Sequence, residues 1–143
     1  MTDHPTATPR PHPEILIVTD GACFGNPGPG GWAHLIFFPN GAVRKGTGSD
    51  PATTNNRMEL MAIVAALEGL GVERKPIRIL TDSQWLASCA SGKWKRKANL
   101  DLWQRFDRAA AGKRLHWEWQ PRNTTDHMVE VDRLAKEAAR RVA

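Results

Sequence analysis

A chain of 143 residues buries roughly two-thirds of the surface that it exposes when unfolded, so it can fold without a disulfide staple or a structural metal. Its composition, 41% hydrophobic and 24% charged, is that of a globular protein; it contains no apolar run near the ~18 residues of a membrane span and no N-terminal signal core, so the expected setting is the cytoplasm, with no membrane partner. The net charge of +5 is concentrated, because eight basic residues stand against Asp101 and Asp107 between Lys93 and Arg114, and that pattern points to a polyanion as partner.

Residues 1–13 hold four prolines and almost no large apolar side chain, so they are expected to form a disordered tail. Only Arg10 is basic there, which argues against nucleic-acid binding by the tail. Residues 14–143 are expected to form one domain, and Cys23 and Cys89, far apart in sequence, read as free thiols. A first strand runs from Glu14 to about Phe24, and its apolar run Ile15-Leu16-Ile17-Val18 ends in Thr19-Asp20-Gly21. A glycine-rich turn at 25–31 follows, then two strands, Trp32 to Phe38 and Ala42 to Gly48, joined at Asn40-Gly41, a strong hairpin signal. Helical spacing of Leu60, Ile63, Val64, Leu67 and Leu70 predicts a helix from near Asn56. Ile77 to Thr81 reads as a strand ending at Asp82, Ser83 to Ala90 as a short helix, and Leu100 to Ala111 as another. Leu115 to Gln120 reads as the fifth strand, and His127 to Arg141 as the last helix.

Three sequential strands, followed by strands alternating with helices, predict a five-stranded mixed sheet covered by helices. Ligands of such sheets gather at the carboxyl ends of strands, where Asp20 and Asp82 lie. Each acid also has a structural reading. Asp20 before Gly21 suits a turn, Asp82 suits a helix cap, and Glu59 suits the third position of a capping box begun by Asn56. Asp132 lies inside the last helix, where no local rule asks for an acid, although Lys136 follows at i+4. Clustered carboxylates without Cys or His suit Mg²⁺ or Mn²⁺.

Thr19-Asp20-Gly21-Ala22-Cys23, Thr53-Thr54-Asn55-Asn56-Arg57-Met58-Glu59-Leu60, Thr81-Asp82-Ser83-Gln84, Asp101-Leu102-Trp103-Gln104, Trp117-Glu118-Trp119 and Asp132-Arg133-Leu134-Ala135 resemble bacterial type 1 ribonuclease H, in the family's order and over nearly everything from residue 14 on. The resemblance implies the ribonuclease H-like fold: an antiparallel meander of strands one to three, with strands four and five parallel to strand one. It implies a monomer that cuts the RNA strand of RNA–DNA hybrids, leaving 5′-phosphate and 3′-hydroxyl ends. Asp20, Glu59, Asp82 and Asp132 are then the catalytic ligands of two Mg²⁺ or Mn²⁺ ions, with Asp20 as the bridge. Gly21, Asn26, Asn56 and Gln84 would contact the substrate beside the cut, Thr54 and Asn99 would hold a DNA-strand phosphate, and Trp94 would lie against a DNA sugar.

Two departures bear on activity. The stretch from Gln84 to Asp101 is about a dozen residues shorter than in the best-known bacterial members, so their basic handle is reduced to residues 93–97 and binding is expected to be weaker and more salt-sensitive. The loop 121–127 lacks the family's mobile histidine. Asn123 holds the nearest equivalent place, and His127 is the nearest imidazole, which also reads as a surface residue at a helix start. That departure keeps a second reading open, a catalytically feeble hybrid-binding module of the same fold.

Overall fold

The computed structural model describes residues 13–143, so the expected tail lies outside the described residues apart from Pro13. In chain order the elements are β1 (Ile15–Cys23), β2 (Gly28–Phe37), β3 (Val43–Thr53), α1 (Asn55–Leu70), β4 (Ile77–Thr81), α2 (Gln84–Ala90), α3 (Leu100–Ala110), β5 (Leu115–Trp119) and α4 (Asp126–Arg140). The sheet order is β3-β2-β1-β4-β5. β1, β2 and β3 pair antiparallel, whereas β4 and β5 run parallel to β1, as the sequence predicts.

β1 is apolar without alternation because both of its faces are covered. Ile15 and Ile17 enter a core with Leu60, Ile63, Val64 and Leu67 of α1 and Trp103 and Phe106 of α3. Val18 points the other way, to Leu35 and Leu80 of the sheet and Met128, Val131 and Leu134 of α4. Among the described residues no helix is long and apolar enough to cross a membrane. Both cysteines are free thiols, as expected.

The meander is longer than the sequence suggests. Gly28–Gly31, read as turn, is strand, with Gly30 and Gly31 facing Cys23 and Ala22 of β1. β3 continues past Gly48 to Thr53 and carries Pro51, which is tolerated because β3 is an edge strand.

Candidate active site

The parallel pairing of β1 with β4 reaches Val18 opposite Leu80, and Asp20 and Asp82 follow two residues further on each side. Register alone therefore sets two acids side by side. α1 brings the third by crossing Gly21, where a Cβ would overlap the Glu59 nitrogen and the Met58 carbonyl carbon. Only glycine allows that approach, and it hangs Glu59 over Asp20. One carboxyl oxygen from each of Asp20, Glu59 and Asp82 lies within 4.8 Å of the other two.

α4 delivers Asp132 by an equally close crossing at Gly31, against the backbone of Ala135 and Ala139. Asp132 lies within hydrogen-bonding reach of Asp20 but stands beside the triad. Its oxygens are taken by Arg122 Nη2 at 3.1 Å and Lys136 Nζ at 3.0 Å.

The capping roles fall to neighbours of the acids. Thr54, not Asn56, caps α1, its hydroxyl accepting the Arg57 N–H at 3.3 Å, so Glu59 lies beyond the capping box. Ser83 caps α2 through the Leu86 N–H at 3.0 Å, and Thr125 caps α4 through Met128. Asp82 and Glu59 thus lose the local explanations that the sequence allows them.

Charge in the cluster is poorly compensated. Burial, reinforced by Asp82 and Asp132, pushes the Asp20 carboxyl up to about 8. Burial, then Asp20 and Asp82, raises Glu59 well above the usual carboxylate range. Asp82 is raised chiefly by burial, against the pull of Arg122. For Asp132 burial works upward, yet Lys136 and Arg122 outweigh it and leave the carboxyl low. Asp20 keeps one good donor, the Gly21 N–H at 2.9 Å, whereas Glu59 is 4% exposed and its Oε1 has no hydrogen-bond partner among the described residues. A buried, unpartnered carboxyl oxygen in an all-oxygen donor set fits a hard divalent cation. The cleft over these residues, about 270 Å³, is also lined by Asn55, Ser83 and Arg122.

The family model for RNase H matches residues 12–140. The chain belongs to the ribonuclease H family. It is 46% identical over 120 residues to the ribonuclease H of Nitrosococcus oceani, covering 73% of this chain and 79% of that relative. To the ribonuclease HI of Pseudomonas aeruginosa it is 42% identical over 136 residues, covering 85% and 90%. Among solved structures, the N-terminal RNase H domain of rv2228c from Mycobacterium tuberculosis superposes with a TM-score of 0.80 at 28% identity, covering 92% of this chain and 96% of that one. LC11-RNase H1 in complex with an RNA/DNA hybrid superposes with a TM-score of 0.78 at 26% identity, covering 89% and 97%.

Of the other residues that the ribonuclease H resemblance singles out, Gly21 lines this cleft, and Asn56 and Gln84 directly follow its lining residues Asn55 and Ser83. Asn26 Oδ1 accepts the Asn55 N–H at 2.8 Å, which ties the β1–β2 loop to α1. Asn56 and Gln84 are exposed at the starts of α1 and α2. Thr54 and Asn99 are linked through Arg57, whose Nη1 is 3.4 Å from Asn99 Oδ1 and whose guanidinium clasps both oxygens of Asp101 at 3.0 and 2.7 Å. Trp94 stands 46% exposed on the loop between α2 and α3. That loop contains no helix, so the shortened handle is one segment of irregular backbone.

In the loop after β5, Asn123 adopts a left-handed conformation (φ 56°). His127 does not join the acids; its ring packs on Phe37 with centroids 4.2 Å apart, and Phe37 pairs with Leu16, four residues upstream of Asp20. The residue that reaches the cluster from this loop is Arg122, which the sequence reading passes over. Its signal was its position, a cation leaving the strand next to the one that bears Asp82, ten residues before Asp132.

Proposed function

We propose that this ribonuclease H cuts the RNA strand of RNA–DNA hybrids endonucleolytically, leaving 5′-phosphate and 3′-hydroxyl ends, from a catalytic domain spanning residues 14–143. The observation that carries the reading is the convergence of Asp20, Glu59 and Asp82 within 4.8 Å, with a Glu59 oxygen left unpartnered. Asp20, Glu59, Asp82 and Asp132 would hold Mg²⁺ or Mn²⁺, two ions in the full site. Such ions supply an activated water at neutral pH and Lewis-acid stabilisation of a phosphoryl group.

The remaining work belongs to the chain. Arg122 brings a permanent positive charge to the cleft, where a scissile phosphate must sit against four acids. Asn26, Asn56 and Gln84 offer amides around the cleft, and a 2′-hydroxyl, which only the RNA strand carries, can both donate to and accept from them. Thr54 and Asn99, joined through hydrogen bonds to Arg57, would hold a backbone phosphate of the DNA strand. The groove lined by Trp85, Lys93, Trp94, Lys95 and Lys97 offers an aromatic face and cations for the same strand further along.

Labelled RNA–DNA hybrid, duplex RNA and duplex DNA, each incubated with Mg²⁺ and wild-type enzyme, test this reading. Cleavage of RNA only in the hybrid is expected. Hybrid binding without cleavage would favour the feeble binding module instead.

Arg122 of the β5–α4 loop and His127 in the first turn of α4 separate cleanly. His127→Ala is expected to leave kcat within about twofold, because a positioned acid–base group contributes ~10²-fold and the His127 ring is committed to Phe37. A loss of that larger size would reassign His127 to proton transfer. Arg122→Ala is expected to lower kcat/KM roughly tenfold or more, as for a lost electrostatic donor, and to lower the half-saturating Mg²⁺ concentration by removing a competing cation. A rise in that Mg²⁺ requirement would contradict the second half of the assignment.

A further inference from the structure

The shortened handle carries Lys93, Trp94, Lys95, Arg96 and Lys97, and four of these five residues are exposed. Arg96 is turned inward. Its guanidinium carbon lies 4.1 Å from the centroid of the Trp103 ring and 5.6 Å from that of Phe106, both on α3. Its Nη1 lies 2.9 and 3.0 Å from the two oxygens of Asp107, one turn further along α3. Its Nε donates to the carbonyl of Cys89, near the end of α2, at 3.2 Å. One side chain thus ties the loop to the helix before it and to the helix after it.

The consequence lies in what the clamp orders. Backbone hydrogen bonds hold the two ends of the loop: Gly92 N–H to Cys89 and Trp94 N–H to Ser88, at 3.4 and 3.1 Å, on the α2 side, and Leu102 and Trp103 N–H to the Asn99 carbonyl, at 3.0 and 2.9 Å, on the α3 side. Between Trp94 and Asn99, Arg96 is the side chain that ties the middle of the loop to α3, and its chain neighbours Lys95 and Lys97 line a groove of about 500 Å³ with Trp85, Cys89, Lys93, Trp94 and Ala98. A loop this short has no helix of its own to hold its lysines in place. Arg stacks its plane on aromatic faces while directing separate nitrogens to separate acceptors, here Nη1 to Asp107 and Nε to Cys89, which the single ammonium of Lys does not do, so this position makes use of guanidinium chemistry.

We propose that Arg96 is a positioning residue for substrate, a clamp that preorganises the reduced handle so that Lys93, Trp94, Lys95 and Lys97 meet the DNA strand of the hybrid without a further ordering cost. Its own positive charge is spent on Asp107 and Trp103, so it is not one of the phosphate ligands. The inference rests on the hybrid-cleaving reading above.

The test measures hybrid cleavage by wild type, Arg96→Met, Arg96→Lys, Asp107→Asn and Lys97→Met over a salt series, with thermal melting of each. Loss of a preorganised loop appears as weaker binding alone, so Arg96→Met is expected to raise KM about tenfold with kcat within about twofold, and Arg96→Lys to restore only part of the loss. The slope of log KM against log salt is expected to stay as in wild type for Arg96→Met and to fall by about 0.9 for Lys97→Met, which removes a phosphate contact. Asp107→Asn gives the opposed signs. Charge alone predicts tighter binding of a polyanion when an acid is neutralised, whereas loss of the clamp predicts a raised KM. An unchanged KM in Arg96→Met, a salt slope that falls as in Lys97→Met, or a lowered KM in Asp107→Asn would each overturn the proposal. If wild type itself fails to cut hybrid, the functional reading fails first, and hybrid-binding constants for the same variants still decide whether Arg96 positions the loop.

Discussion

Asp20→Asn is expected to reduce RNA-strand hydrolysis by at least about 10³-fold and, in the absence of divalent metal, to raise the melting temperature. The two effects have one cause. Asp20 is 4% exposed and lies between Glu59, Asp82 and Asp132, and burial with the charges of Asp82 and Asp132 pushes its carboxyl up to about 8. An ionised carboxylate there is costly to the fold, so without metal the native state holds on Asp20 a proton that the unfolded chain releases at neutral pH. Asparagine has nearly the same volume, removes the charge and adds an amide donor beside the unpartnered Oε1 of Glu59. The expected gain is about 1–2 kcal/mol of metal-free stability, measured by urea unfolding in EDTA. A variant both inactive and less stable would mean that Asp20 serves the architecture, and an active variant would remove it from the chemistry.

The second large effect is the dependence of stability on pH. With metal chelated, Asp20 has a folded pKa near 8 and an unfolded value of 3.8, so the native state holds the proton more tightly. The stabilisation due to protonated Asp20 is complete below pH 3.8 and is lost as pH rises towards 8. The slope reaches about 1.4 kcal/mol per pH unit while one proton separates the two states. Glu59 and Asp82 are raised as well and act in the same direction. Asp132 is lowered, so its contribution is present above its unfolded value and is lost on acidification. His34 opposes the trend too, since burial lowers its pKa from 6.5 and the folded ring resists protonation in acid. The difference in urea midpoint between wild type and Asp20→Asn removes that histidine contribution. It is expected to grow between pH 5 and pH 8 in EDTA and to shrink in saturating Mg²⁺, because bound cations stabilise the ionised acids. A difference independent of pH in EDTA would show that the acids are not in one another's field.

The topology was legible because its signals are local. The unbroken apolar run of β1, the Asn40-Gly41 turn and the helical spacing of Leu60, Ile63, Val64 and Leu67 need only the sequence, and the adjacency of Asp20 and Asp82 follows once β1 and β4 are neighbours. Boundaries were harder where several residues can do one job. Thr53-Thr54-Asn55-Asn56 presents four candidate caps in a row, and Thr54 takes the role because β3 runs on to Thr53 and leaves the next residue at the helix entrance. Gly28–Gly31 resembles a turn by composition but pairs as strand with β1 and β3, and Gly31 is glycine because α4 crosses so close that a side chain would collide.

The parts of the site that could not be read depend on tertiary contact. Arg96 is one cation among several in Lys93-Trp94-Lys95-Arg96-Lys97, and only the placement of Trp103 and Asp107 separates it from its neighbours. Arg122 acquires its role from the path of the β5–α4 loop. His127 was a candidate through the resemblance, as the imidazole nearest to the family's loop histidine, and its ring is instead packed against Phe37.

The measurement that bears most directly on the whole account uses one RNA–DNA hybrid with each strand labelled in turn, in Mg²⁺, with product ends assigned by phosphatase and ligase treatment. The account predicts a cut RNA strand with 5′-phosphate and 3′-hydroxyl ends, an intact DNA strand and no reaction in EDTA. Cutting of the DNA strand, or RNA cleavage that persists in EDTA with 2′,3′-cyclic phosphate ends, would contradict it.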